Sequence, residues 1–171
     1  MGADIYLRSK FDSNFESVQV EIEEVYKLFD MTADSSIMDM ADGDKDKFQE
    51  MIQPLFNKAY SVGYFRDSYN SSNLLSHLGL DWWKDIIPKL DNQCLPIEHC
   101  EWLLEEIKNR RIGEEPQVSH PINEIHKRMG IACTELNLDS ETLKYFVEKK
   151  IKLCNLLQDA ISINEPLYCS L

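Results

Sequence analysis

The 171-residue sequence has few of the residues that make tight turns, with only six Gly and six Pro. A sheet-rich fold with many turns is therefore not expected. No apolar run approaches the roughly 20 residues that a membrane-spanning helix needs, so we expect no membrane partner. Residues 1–10 carry charges where a signal peptide would require an apolar core. These features favour a cytoplasmic protein.

The sequence also lacks the short motifs of familiar catalytic sites. It has no Gly-Lys-Ser/Thr phosphate loop, no Gly-x-Ser-x-Gly elbow and no Gly-x-Gly-x-x-Gly turn. A Cys–His nucleophilic pair is left open, because such partners meet only in three dimensions. We expect no cofactor, and a binding protein is favoured over an enzyme.

The cysteines show no compact spacing that would indicate a disulfide framework. Their number is odd, and free thiols in a reducing compartment are the simplest interpretation. The five are Cys94, Cys100, Cys133, Cys154 and Cys169.

Acidic residues outnumber basic ones, and the formal net charge is −12. Residues 12–46 hold eleven acidic residues against Lys27 and Lys45, a local balance of −9. Such a field repels phosphate backbones, so direct nucleic-acid binding is not expected. Two functional interpretations stay open: attraction of a basic protein surface, or imitation of DNA. The structural alternative is a solvated face that aids solubility.

Apolar residues at helical spacing recur along most of the chain. We predict helices at residues 15–29, 48–59, 74–78, 82–90, 123–136 and from Pro96 and Asp139 onward. A kink or break is expected at Pro54 and near Pro88, and an interruption at Gly130. Residues 32–46 are predicted to be a loop, and residues 3–7 a short strand or extended arm. The expected fold is all-α: one irregular helical bundle spanning residues 1–171. The last helix is predicted to expose Lys144, Lys149, Lys150 and Lys152.

Alternating carboxylates at Asp42, Asp44 and Asp46 are typical of the start of a calcium loop. An EF-hand counted from Asp42 needs Gly at its sixth place and an acidic ligand at its twelfth. Those places hold Lys47 and Gln53. Calcium binding is therefore not expected.

A zinc site is also not expected. His99 and Cys100 lie near Cys94, but zinc sites usually combine two clusters of paired ligands, and a second cluster is missing. His120 and His126 are six residues apart, which does not align them on one helical face.

The segment 64–70 concentrates three aromatic rings, a guanidinium, a carboxylate, a hydroxyl and an amide. Arg66 is suited to binding a phosphate or carboxylate, and Asp67 to orienting Arg66 or acting as a base. The aromatic rings can stack on a ligand or donate a hydrogen bond. The alternative is structural: Arg66 and Asp67 tie the loop to helix ends while the rings fill the core. The candidate ligand or partner residues here are Tyr64, Arg66, Asp67, Tyr69 and Asn70.

Two adjacent tryptophans complete the candidate site. Trp82 and Trp83 cannot point the same way from one helix, so we expect one to face the core and the other a cleft or partner.

These segments resemble a group of small uncharacterised proteins from bacteria and their phages, for which no activity is established. The resemblance covers the opening Gly-Ala-Asp-Ile-Tyr-Leu, Tyr-Phe-Arg-Asp-Ser-Tyr-Asn at residues 64–70 and Leu-Gly-Leu-Asp-Trp-Trp at residues 78–83. It implies a prokaryotic or phage setting. It also suggests that Asp4 approaches Arg66, either as a buried ion pair or in one pocket.

From these patterns we expect a small cytosolic interaction protein, accessory to phage or mobile-element biology, that binds a protein partner. It would use the surface of residues 64–83, the acidic face, or both. The alternative is a small-ligand binder or enzyme with a polar pocket built from Asp4, Arg66, Asp67, Tyr69 and Asn70. A DNA mimic is the weaker alternative.

Overall fold

The computed structural model describes residues 2–32, 35–68, 73–113 and 139–170. The described residues divide into two compact units, Arg8–Tyr64 and Met1–Leu7 with Phe65–Leu171. They form β1 (Gly2–Tyr6), α1 (Arg8–Leu28), α2 (Asp42–Ala59), β2 (Tyr64–Ser68), α3 (Leu74–His77), β3 (Cys94–Leu95), α4 (Ile97–Asn109), α5 (Ser140–Ile163) and β4 (Leu167–Ser170).

The unit Arg8–Tyr64 is a helical hairpin, in which α1 and α2 bury their apolar faces against each other. Phe48 lies at its centre and meets the rings of Tyr26 and Phe29 edge-on at 5.3 and 5.4 Å, a favourable arrangement for aromatic pairs. Asn14 closes the far end of the hairpin, because its amide donates to the carbonyls of Lys58 and Ala59 at the end of α2. The predicted helices at 15–29 and 48–59 are both present.

Two details of the hairpin differ from the sequence prediction. The predicted loop ends earlier, because Asp42 and Asp44 form the first turn of α2, where carboxylates complement the positive end of the helix dipole. Moreover, α2 continues through Pro54 without a break. Proline has no N–H, so Pro54 cannot donate the helical hydrogen bond to the carbonyl of Glu50. Both residues are exposed, so water can solvate that carbonyl.

The second unit contains a four-stranded sheet in the order β2–β1–β4–β3. Strand β4 pairs antiparallel with both β1 and β3, and Asp4 lies opposite Ser170. The all-α prediction is therefore wrong: the protein is mixed α/β. The strands have only two to five described residues each, and such short, scattered strands leave almost no visible alternation.

Helices α4 and α5 cover the sheet-bearing core, with Leu103, Ile107, Leu153 and Leu157 fully buried. Arg110, just after α4, fixes the end of α3: its guanidinium binds Glu106 at 2.6 Å and donates to two carbonyls near the end of α3.

The remaining helix predictions have mixed outcomes. The predicted helix 82–90 is instead a π-helical turn at Trp82–Ile86 followed by a 3₁₀ turn at Ile87–Lys89. Residues 123–136 lie outside the described residues. Within the described ranges, no helix combines the length and the apolar character needed to cross a membrane.

Candidate functional site

Strand β2 directs the side chains of Arg66 and Asp67 to opposite faces of the sheet. Phe65 and Asp67 are buried, whereas Arg66 between them is exposed, as the two-residue repeat of a strand requires. A single pocket lined by both Arg66 and Asp67 on one sheet face is therefore not formed.

Asp67 is held inside the protein by an ion pair that joins residues far apart in sequence. Its side chain is fully buried and accepts from Lys149 Nζ at 2.8 Å, and both carboxylate oxygens also accept from the backbone N–H of Leu74. Lys149 is mostly buried too, with its ammonium 5.7 Å from the ring centre of Phe65. The expected exposure of Lys149 is thus wrong. Asp67 fulfils the structural alternative by tying β2 to the start of α3.

His77 adds a titratable group to this buried region. Its side chain is fully buried, and its ring centre lies 4.3 Å from that of Phe146. Burial lowers the pKa of His77, because a charged imidazolium would lose its hydration, and the negative charge of Asp67 partly opposes this effect. The sequence pattern gave no indication of this cluster, since its members come from β2, α3 and α5.

Asp4 and Arg66 do meet, on the other face of the sheet. Their side chains approach to 3.6 Å, but the side chain of Arg66 is 63% exposed, so the pair is not buried. Gly2 provides the space: a Cβ there would come within 3.0 Å of Arg66 Nε. The same face carries Tyr6 and Tyr168, whose ring centres are 6.1 Å apart. These residues form a polar and aromatic surface on the sheet.

We expect Arg66→Ala to change the free energy of unfolding by less than about 1 kcal/mol, because exposed ion pairs contribute little in water. Urea denaturation of the variant beside the parent protein measures the difference. A loss of 3 kcal/mol or more would show that Arg66 acts as a structural charge despite its exposure.

The two tryptophans separate as expected. Trp82 is buried and Trp83 is 51% exposed. Asp81 begins their turn by accepting from the backbone N–H groups of Trp83 and Lys84. Among the described residues, the indole Nε1 of Trp82 has no hydrogen-bond partner. Trp82 therefore acts as a core residue, and Trp83 is the ring presented at the surface.

Tyr64 packs its ring against aromatic residues of the helical hairpin. Its ring lies 4.7 Å from that of Tyr60 and 6.0 Å from that of Phe11, measured between centres. The candidate residues Tyr69 and Asn70 lie outside the described residues.

The thiols of Cys100 and Cys169 are buried and poorly suited to nucleophilic chemistry. Burial raises the pKa of Cys100 to about 11 and that of Cys169 to about 12, so both are protonated at neutral pH. Cys133, His120 and His126 lie outside the described residues. Within the described part of the chain, no group of three His, Cys, Asp or Glu side chains is arranged to hold a metal ion.

The helical hairpin carries a groove of about 440 Å³ that the sequence pattern did not reveal. Its lining, mostly apolar and aromatic, includes Phe15, Ile22, Tyr26, Met31 and Phe56. We call it the hairpin groove. Apolar residues of α1 and α2 were predicted to face inward, but whether two helices close fully against each other depends on their packing, which periodicity does not determine.

Carboxylates accompany the hairpin groove along α1. Glu23 lines the groove together with Gln19 and Lys27. Glu16 lies seven positions earlier, so its side chain is on the same side of the helix as that of Glu23. Both glutamates are exposed. The groove thus combines a mostly apolar lining with a charged edge of Glu23 and Lys27, and Glu16 lies on the same side of α1. It lies within the acidic region recognised from the sequence.

No family model matches the chain, and no curated protein or solved structure is significantly similar to it. The resemblance to small bacterial and phage proteins stays a prediction.

Proposed function

We propose that the protein is an interaction protein that binds an amphipathic helix of a basic partner protein in the hairpin groove. The observation that carries this proposal is an apolar groove within the most acidic region of the chain, with Glu23 in its lining and Glu16 on the same side of α1. A role accessory to phage or mobile-element biology is part of the proposal and rests only on the sequence resemblance.

The size and lining of the hairpin groove suit apolar side chains from a helix. Its volume of about 440 Å³ lies within the roughly 300–1,000 Å³ of small-molecule pockets, which leaves room for a few side chains of a helix. Helices that bind in such grooves insert residues from one apolar face, spaced three or four positions apart. The rings of Phe15, Tyr26 and Phe56 offer large contact area at this surface.

The charge of the hairpin indicates the chemistry of the partner. Glu16 and Glu23 are about 10 Å apart along α1, given a rise of about 1.5 Å per residue. A partner helix with Lys or Arg two turns apart, beside its apolar face, would place one cation near each carboxylate. The excess of acidic residues in the hairpin also attracts a basic protein at longer range.

The test uses a helical peptide of about 18 residues with a leucine face and a lysine face, and a twin peptide in which Glu replaces every Lys. We expect fluorescence anisotropy to show saturable binding of the lysine peptide and much weaker binding of the twin. Glu23→Lys should weaken binding of the lysine peptide roughly fivefold or more, because it turns an attraction into a repulsion.

Glu24→Lys is the matched control, since it makes the same charge change at the neighbouring exposed position outside the groove lining. Equal losses for both variants would mean that only overall charge matters, and the groove proposal would fail. Competition of double-stranded DNA with this protein for a DNA-binding protein, abolished by neutralising residues 12–46, would favour the DNA-mimic alternative instead.

A further inference from the structure

Helix α5 exposes an apolar row on its solvent side. Leu143, Val147 and Ile151 lie at successive spacings of four residues and are 40%, 41% and 54% exposed. Residues at this spacing lie one above the other on a helix. The row is separate from the buried face of α5, which includes Phe146 and Leu153. Three aligned apolar side chains on one exposed face differ from scattered surface apolar residues and indicate a contact surface.

Four exposed charged residues of alternating sign accompany this row. In chain order they are Glu141, Lys144, Glu148 and Lys152. Within one helix, Lys144 and Glu148 come no closer than 4.0 Å, and an exposed pair of this kind contributes only a few tenths of a kcal/mol. These charges are therefore available to pair with another molecule at little cost.

The signs of these four charges run minus, plus, minus, plus along α5. Read in the opposite direction they run plus, minus, plus, minus, so two antiparallel copies place opposite charges beside each other. When two copies of α5 lie antiparallel, with residues 146–147 of each helix at the crossing point, Glu141 falls beside Lys152 of the other copy. Lys144 then falls within one residue of Glu148. The apolar row follows the same register to within one residue, because Leu143 falls beside Ile151 and Val147 meets its own counterpart.

We propose that the protein self-associates through antiparallel pairing of α5 from two copies. A two-fold axis makes each favourable contact occur twice, as expected for an isologous interface. A partner of uniform charge would be repelled by two of the four charged residues, so the alternating signs favour a second copy over such a partner. The apolar row is short, so the dimer is weak, with a dissociation constant on the order of 10–100 µM.

Sedimentation equilibrium of the full chain across this concentration range tests the proposal. We expect the parent protein to shift from monomer to dimer as its concentration rises. Val147→Glu should raise the dissociation constant of the dimer roughly tenfold or more, because it buries a charge at the centre of the interface. Val20→Glu is the matched control: Val20 is an exposed valine on α1, and its substitution should leave the dimer unchanged. A parent protein that stays monomeric, or a dimer insensitive to Val147→Glu, would overturn the proposal.

A charge-swap experiment tests the antiparallel register separately. One variant combines Glu141→Lys with Glu148→Lys, and the other combines Lys144→Glu with Lys152→Glu. We expect each variant alone to be monomeric and an equimolar mixture to form a heterodimer, with circular dichroism verifying that both fold. If the mixture stays monomeric while the parent protein dimerises, the antiparallel register is wrong. This test involves only α5, so its outcome is independent of peptide binding in the hairpin groove.

Discussion

Replacing Asp67 with Ala is expected to lower the free energy of unfolding by about 3–5 kcal/mol, the usual cost of leaving one partner of a buried ion pair alone. The variant leaves the ammonium of Lys149 without its carboxylate and the N–H of Leu74 without its acceptor. Lys149→Met should cost a similar amount, because Asp67 then keeps its charge in a fully buried position. Urea denaturation monitored by tryptophan fluorescence gives both values.

Two further variants show whether the ion pair itself is responsible. Lys144→Met makes the same change at an exposed position of α5 and should alter stability by less than about 0.5 kcal/mol. The double variant Asp67→Asn with Lys149→Met should recover most of the loss, since it removes both charges and keeps an oxygen acceptor for the N–H of Leu74. Single variants that lose less than about 1 kcal/mol would refute the assignment of a buried pair.

Alkaline conditions are expected to destabilise the protein through its two buried thiols. The pKa of Cys100 is raised from 9.0 to about 11 and that of Cys169 from 9.0 to about 12. Above pH 9 the unfolded chain therefore releases protons that the folded protein still holds, and stability falls as pH rises. Each thiol should cost about 1.4 kcal/mol at pH 10, which gives a combined loss of about 3 kcal/mol relative to pH 8.

The measurement is the unfolding free energy at pH 8 and pH 10 for the parent protein and for Cys100→Ala with Cys169→Ala. Other groups also titrate in this range. The test therefore compares the loss of stability between pH 8 and pH 10 in the parent protein with the loss in the double variant. Cys94→Ala keeps both buried thiols and serves as the control. If the double variant and the parent protein lose the same stability between pH 8 and pH 10, the two thiols are not the cause.

The long helices could be predicted from the sequence because their stabilising contacts repeat at a local spacing. Phe15, Ile22 and Phe29 mark the apolar face of the first helix without any knowledge of the rest of the chain. Strand β2 could not be recognised in the same way. Its inward positions hold Phe65 and Asp67, and a buried carboxylate breaks the apolar alternation that identifies a strand.

The candidate site was only partly predictable for the same reason. The partner of Asp67 lies 82 positions away, so no local pattern links the two residues. The spacing of Lys149 from Phe146 and Leu153 does place it on the buried face of α5, a signal that the predicted exposure of Lys149 overlooked. The approach of Asp4 to Arg66 agrees with the hypothesis, whereas the pocket combining Arg66 with Asp67 required both side chains on one face. The sequence indicated the acidic region but not the groove, because a groove depends on the packing of two helices.

The sheet order also affects how the chain folds while it is being synthesised. Strand β1 lies between β2 and β4, and residues 4–6 pair with residues 168–170. At a typical translation rate of about 5–20 residues per second, β1 waits on the order of 10–30 s for β4 to be made. The contacts of α1 and α2 need only the first 60 or so residues. The hairpin can thus form early, while one edge of β1 stays open to wrong pairing until synthesis reaches β4.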